Sequence, residues 1–196
     1  TTAPFSTPFA MDPTDAKHLI IAGRNVRETV DGPDTCGFAT DNQACTFVTV
    51  FDLGASPNDP ATNRAPSAIE LQGEAAYVGF CGRCSLGARP DLGFNNGIAT
   101  NVGGTLPPKK GTADGWHIAT ARGLDSRLVL GMEMDEIDPK TIYVTLAGYT
   151  GNMRPPGSHL DPNAAKVGTG VVFKSTDAGE SFTDISGTLP NVHTTA

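Results

Sequence analysis

The side chains that could do chemistry in this chain fall into a few small groups. Four cysteines form two close pairs, Cys36/Cys45 and Cys81/Cys84. Such pairs can close two local disulfides, converge on one four-thiolate zinc site, or supply a redox-active C-x-x-C at Cys81-Gly82-Arg83-Cys84. Zinc needs the two pairs to meet in space, and no βαβ pattern surrounds Cys81 to support a thioredoxin-like site. Two disulfides stapling loops of a secreted protein are therefore expected. Arg83, Arg89, Tyr149, Arg154 and His159 combine forked donors, an aromatic plane and an imidazole, a set suited to a sugar or an acidic peptide. Asp12, Asp15, Asp135 and Asp138 lie beside turns, where carboxylates cap backbone N–H groups. No D-x-D-x-D-G run, H-x-x-x-H or G-x-S-x-G occurs, so no metal, cofactor or complete catalytic set is expected.

Those groups need a scaffold, and the composition points to strands. The 196 residues include 23 Gly and 15 Pro with only 18% charged residues, as in a turn-rich all-β protein. Leu128–Met134 and Thr141–Leu146 are short, roughly alternating runs bounded by turn residues. The net charge of −7 and the lack of a Lys/Arg run argue against nucleic acid or an anionic membrane surface as partner. Lys109-Lys110 is the densest basic spot and is expected in a solvated loop. No run reaches the length of a membrane span. With no starting Met and no signal peptide, the chain is expected to be a mature or excised segment.

Internal repeats organise the chain. Ser175-Thr176-Asp177-Ala178-Gly179-Glu180-Ser181-Phe182 reads S-x-D-x-G-x-S-F, a polar turn followed by an aromatic anchor. Thr29-Val30-Asp31-Gly32-Pro33 keeps the hydroxyl and the acid; Ala99-Thr100-Asn101-Val102-Gly103 keeps the glycine and has Asn101 in line with Asp177. Met11-Asp12-Pro13-Thr14-Asp15-Ala16-Lys17 recurs as Met134-Asp135-Glu136-Ile137-Asp138-Pro139-Lys140, an offset of 123 residues. Tyr77-Val78 matches Tyr143-Val144 at an offset of 66. Periods of this size signal a propeller or an array, and units longer than the minimal ~40–50 residues imply inserted loops.

The S-x-D-x-G-x-S-F segment resembles the Asp-box of sialidase-like (BNR-repeat) β-propellers, as in sortilin-type and xyloglucanase-type proteins. The resemblance implies an all-β chain, residues 1–196 as one segment of three four-stranded antiparallel blades, at about 1–65, 66–127 and 128–196. Strands are expected near 5–11, 18–23, 25–30 and 46–52; near 67–71, 75–80, 97–101 and 115–120; and near 128–134, 142–148, 169–176 and 181–186. Phe47, Trp116 and Phe182 take the aromatic place. Ser175, Asp177, Gly179 and Phe182, with Thr29, Asp31, Asn101 and Gly103, are then structural turn residues on the end away from ligand. Closed propellers have about four or more blades, so three imply partners: the remaining blades of a ring of roughly six to ten, or a second copy of the chain.

The opposite end carries the long connections from Cys81 to Asn96 and from Tyr149 to Gly168, which hold the five candidate ligand residues. Long loops on a rigid sheet are where binding residues concentrate. The expected function is a non-catalytic, secreted or cell-surface module binding glycan or an extracellular protein. The alternative is part of a glycoside hydrolase whose catalytic residues lie in other blades. Arg24-Asn25-Val26-Arg27 is not the Arg-Ile-Pro of sialidases. Ala99-Thr100-Asn101-Val102-Gly103-Gly104 resembles a xyloglucanase stretch but offers an amide where glycoside hydrolysis needs a carboxyl.

Overall fold

In a computed structural model the described residues are 7–32, 47–56, 59–82, 96–125, 127–147 and 170–190. Among them there is no helix, and three four-stranded antiparallel sheets follow one another along the chain. Sheet one is β1 (Phe9–Asp12), β2 (Asp15–Ala22), β3 (Asn25–Thr29) and β4 (Val48–Asp52). A two-stranded hairpin, β5 (Ala55–Ser56) with β6 (Asp59–Asn63), leads onward. Sheet two is β7 (Ala65–Gln72), β8 (Ala75–Cys81), β9 (Gly97–Thr100) and β10 (His117–Ile118). Sheet three is β11 (Val129–Met134), β12 (Ile142–Leu146), β13 (Val172–Ser175) and β14 (Thr183–Asp184). Each is a simple meander in chain order.

The three sheets stack in series, consistent with propeller blades. The first strands contact one another in turn, β1 with β7 and β7 with β11, as the inner strands of radially arranged sheets would. The expected strands coincide with the observed ones to within a few residues, while the β5–β6 hairpin was not expected.

Two hydrophobic layers lie between the sheets. Ile20, Ala22, Val26 and Val50 of sheet one pack against Leu71, Ala76, Val78 and Phe80 of sheet two. On the other side Ala75, Tyr77 and Ile98 of sheet two pack against Met132, Met134, Ile142, Val144 and Phe173 of sheet three. Alternation assigns each residue to a layer: successive side chains of β8 point to opposite faces. Gly79 is where the second layer closes tightest. A Cβ there would come within 2.8 Å of Val129 Cγ1, so β11 can lie against β8 only because that position has no side chain.

The registers superpose the three sheets position by position. Met11 faces Leu19, Leu71 faces Ala76 and Met134 faces Ile142 across their first hairpins. Leu19 then faces Thr29 and Ile142 faces Ser175. Asn101 donates its N–H to Ala76 O (3.3 Å), which puts it at the ladder position of Thr29 and Ser175. The sequence alignment pairs Asn101 with Asp177; the ladder places it two residues earlier.

Candidate functional site

Arg83, Arg89, Tyr149, Arg154 and His159 lie outside the described residues, as do Cys36, Cys45 and Cys84. The roots of their loops are described. The loop of sheet two leaves from buried Cys81 and returns at Gly97; the loop of sheet three leaves from buried Ala147 and returns at Gly170. An arginine stands at each root. Arg64 Nη1 donates to Leu53 O (2.8 Å), and its guanidinium lies 5.1 Å from the centre of the Phe80 ring. Burial pushes the Arg64 pKa down. Arg127 is 1% exposed; its Nη2 donates to Asp125 Oδ2 at 2.9 Å and its Nη1 to Ala147 O at 3.4 Å. Counting back from Leu71 and Met134, Arg64 and Arg127 occupy the same position in their sheets. The recurrence of Arg at the same offset from paired strands was the signal available for them, and it was not used.

Beside this end Ser186 fastens the start of β13. Its hydroxyl donates to Asp184 Oδ1 (2.6 Å) and accepts the N–H groups of Val171 (2.7 Å) and Val172 (2.9 Å). The returning strand is thus fixed immediately after the residues that carry the candidate ligand groups.

The opposite end is built from short turns. Between β13 and β14, Asp177 Oδ1 accepts the Ser175 hydroxyl (2.8 Å) and the Ser181 N–H (2.8 Å), and Asp177 Oδ2 accepts the Ser181 hydroxyl. Ser175 Oγ in turn accepts the Gly179 N–H (2.9 Å). Burial works against the ionised Asp177, but the bonds from Ser181 and Ser175 outweigh it and hold its pKa below the ordinary carboxylate range. Ala178 and Gly179 have φ of 62° and 87°, left-handed values that a side chain resists. Phe182 is buried in the layer between sheets two and three. Both carboxylate oxygens of Asp177 accept bonds from within its own turn.

A second link joins this turn to the first hairpin of the same sheet. Ala178 N–H donates to Lys140 O (2.9 Å), and in sheet one Gly32 N–H donates to Lys17 O (2.9 Å). The equivalent carbonyl in sheet two is Glu74 O, and there the donor is a side chain, Asn101 Nδ2 (2.8 Å). Asn101 Oδ1 also accepts Ala76 N–H (2.8 Å). Its amide does with one side chain what two turn backbones do elsewhere, leaving the chain free to depart into the longer connection 102–116. Thr29 Oγ1 accepts Asp31 N–H (3.3 Å), and Gly103 has a φ of 81°.

One buried charge cluster was not foreseen. His18 lies between two carboxylates, with Nδ1 3.1 Å from Asp12 Oδ2 and Nε2 2.5 Å from Glu28 Oε1. All three residues are buried. With both carboxylates ionised, both ring nitrogens donate, which is the imidazolium form. Burial opposes that charge, but Glu28 and Asp12 together raise the His18 pKa. Lys110 joins from the long connection of sheet two, its Nζ 3.1 Å from Asp12 Oδ2 and 3.2 Å from Asp15 Oδ2. Lys109 is exposed in that loop as expected, whereas Lys110 is half-buried as an ion-pair partner tying sheet two to the first hairpin of sheet one. Asp12 also caps its turn by accepting Thr14 N–H (2.9 Å), and Asp135 caps Ile137 (2.9 Å).

Glu70 on β7 is half-buried; burial, with Glu133 nearby, raises its pKa to about 7. Tyr77 reaches across the layer and donates its hydroxyl to Pro139 O (2.7 Å).

No family model and no curated protein matches this chain. Among solved structures, the chain is similar to the crystal structure of an ancestral GH74 enzyme, with 14% sequence identity and a TM-score of 0.44. The match covers 90% of this chain and 18% of that one, so the chain spans about a fifth of the length of that protein.

Proposed function

We propose that this chain is a segment of an Asp-box β-propeller that serves as a binding or scaffold module for a glycan or an extracellular protein. The observation that carries this reading is the repeated construction. Three successive meanders share one ladder register, and a carboxylate bonded within its own turn closes the third. Asp177 is then structural. Binding belongs to the end rooted at Arg64 and Arg127, where the connections holding Arg83, Arg89, Tyr149, Arg154 and His159 begin and end.

An extracytoplasmic setting fits Cys81, which is disulfide-bonded, with Cys81–Cys84 and Cys36–Cys45 as the proposed bridges. In the stretch that resembles a hydrolase motif, the side chain of Asn101 is committed to Ala76 and Glu74. This supports a structural rather than a catalytic role there. The test is a glycan array run beside a hydrolysis screen. Binding that is lost in Arg83→Ala, Arg89→Ala and Arg154→Ala chains, without turnover, is the expected result. Hydrolysis abolished by changing a loop carboxylate would establish the enzyme instead.

A further inference from the structure

The 102–116 connection of sheet two is built as a closed strap. Its neck is pinched at two glycines: a Cβ on Gly104 would come within 2.3 Å of Gly115 O, and one on Gly115 within 2.4 Å of Asn101 O. The tip turns on itself, with the N–H and the hydroxyl of Thr112 both donating to Lys109 O (3.3 and 3.0 Å). Among the described residues, the only hydrogen bonds from 105–114 to other parts of the chain come from Lys110 Nζ, to Asp12 Oδ2 (3.1 Å) and Asp15 Oδ2 (3.2 Å). One ammonium thus carries the polar contact of the tip with sheet one. Beside it Gly111 lies near Val30, whose Cγ1 would be 3.8 Å from a Cβ there.

Asp12 Oδ2, the oxygen that Lys110 uses, also faces His18 Nδ1 at 3.1 Å. The imidazolium and the ammonium therefore share a single acceptor atom. Asp12 Oδ1 is turned the other way, accepting the N–H (2.9 Å) and the hydroxyl (2.8 Å) of Thr14. The ionisable groups acting on His18 come from the elements around it: Asp12 from β1, Glu28 from β3 and Lys110 from the strap. On its own strand, Asp15 reaches Lys110, and the stem of Lys17 runs beside Gly32. Burial and Lys110 both work against the His18 charge that Glu28 and Asp12 favour. Asp12 is held below the ordinary carboxylate range, against its burial, by Thr14 and His18, and Asp15 chiefly by the Lys17 N–H. Both therefore stay ionised while His18 titrates.

We propose that this strap is a pH-sensitive device: protonation of His18 weakens the hold of Lys110 on Asp12, so the tip docks firmly on sheet one when His18 is neutral and loosens when it is charged. The coupling is reciprocal, so the factor that docking takes from proton binding at His18 is the factor that protonation takes from docking. The sheet itself gains stability from the same proton. Acid thus loosens the strap without unfolding what it rests on.

Proton NMR of the whole chain across the His18 titration, at fixed salt, tests this. The Overhauser contact between Gly111 and the Val30 methyls reports docking, and the His18 ring protons report protonation. The contact should weaken as pH falls through the His18 midpoint, with a docking constant at least about fivefold lower on the acid side. Lys110→Met should raise the His18 midpoint and leave the contact weak at every pH. His18→Gln should hold the contact at one strength throughout. A contact of constant strength in the parent chain would overturn the proposal, and so would a His18 midpoint that stays put or falls in Lys110→Met. Those two readings need only the parent chain and a change at a partly exposed side chain, so they decide the matter even if His18→Gln does not fold.

Discussion

Sheet two and its neighbours share a backbone plan but differ in how their strands are buried. All seven residues of β8 are buried, whereas β12 alternates buried and half-exposed along its five. Correspondingly β8 reads Ala-Ala-Tyr-Val-Gly-Phe-Cys, a continuous run of apolar and small residues, and β12 reads Ile-Tyr-Val-Thr-Leu. The lesson is that the side-chain pattern of a strand reports how many layers cover it, one or two, more than which strand of the meander it is. The outer surface of sheet one departs from that rule. Its β1 carries the apolar side chains of Phe9 and Met11 at exposed positions.

The contrast can be broken at several depths. Phe80→Ala removes a ring packed against Gly97 and Arg64 in the layer between sheets one and two. It should cost about 3–5 kcal/mol in urea unfolding. Ile137→Ala, at a site 92% exposed in the sheet-three turn, should stay within about 0.5 kcal/mol. Equal losses at both sites would refute the two-layer description.

Asp177→Ala takes the acceptor from three bonds of one turn. A loss of about 1–3 kcal/mol is expected, with faster hydrogen exchange at the Ser181 amide. Asn101→Ala should behave similarly for sheet two, exposing the Ala76 amide. No change at Ala76 would show that Asn101 is dispensable there.

Sheet one should lose stability as the pH rises. The folded pKa of His18 is raised above 6.5, so the folded state holds its proton more tightly than the unfolded chain does. The resulting stability is fully present below pH 6.5 and is lost as pH rises through the folded value. His18→Gln should flatten that part of a stability–pH curve, and the His18 ring protons should titrate late by NMR. A ring that titrates at or below the ordinary value would contradict the imidazolium assignment.

Glu70 should respond with the opposite sign to a stabilising carboxylate. Its folded pKa of about 7 lies above the model-compound 4.5, so ionisation costs stability as pH rises between those values. Glu70→Gln should therefore match the parent chain below pH 4.5 and exceed it above pH 7. Parity throughout would mean that Glu70 is well solvated.

Much of this layout was legible in the residues themselves. The Met11 and Met134 repeats located two first hairpins, and short apolar runs between turn residues located nearly every strand. Three features were not. The β5–β6 hairpin has neither a strong alternating run nor a tight-turn dipeptide. The His18 cluster joins residues from β1, β2, β3 and a loop some ninety positions away (Lys110), a proximity that only tertiary structure creates. Asn101 was misaligned because its residue type mimics an acid, while its role follows from ladder position and two backbone partners. As for the candidate site, the sequence identified the loops that leave the sheets but passed over Arg64 and Arg127 at their roots.

The link between the two turns at one end of each sheet has one more consequence. In sheets one and three it joins main-chain atoms only, Gly32 to Lys17 and Ala178 to Lys140, so it needs no side-chain hydrogen-bonding group, only a residue that accepts a left-handed φ. Sheet two achieves the same closure with an amide borrowed from Asn101. A fastening that tolerates such replacement lets the repeats drift apart in composition without coming undone, and similarity between copies can fade long before their geometry does.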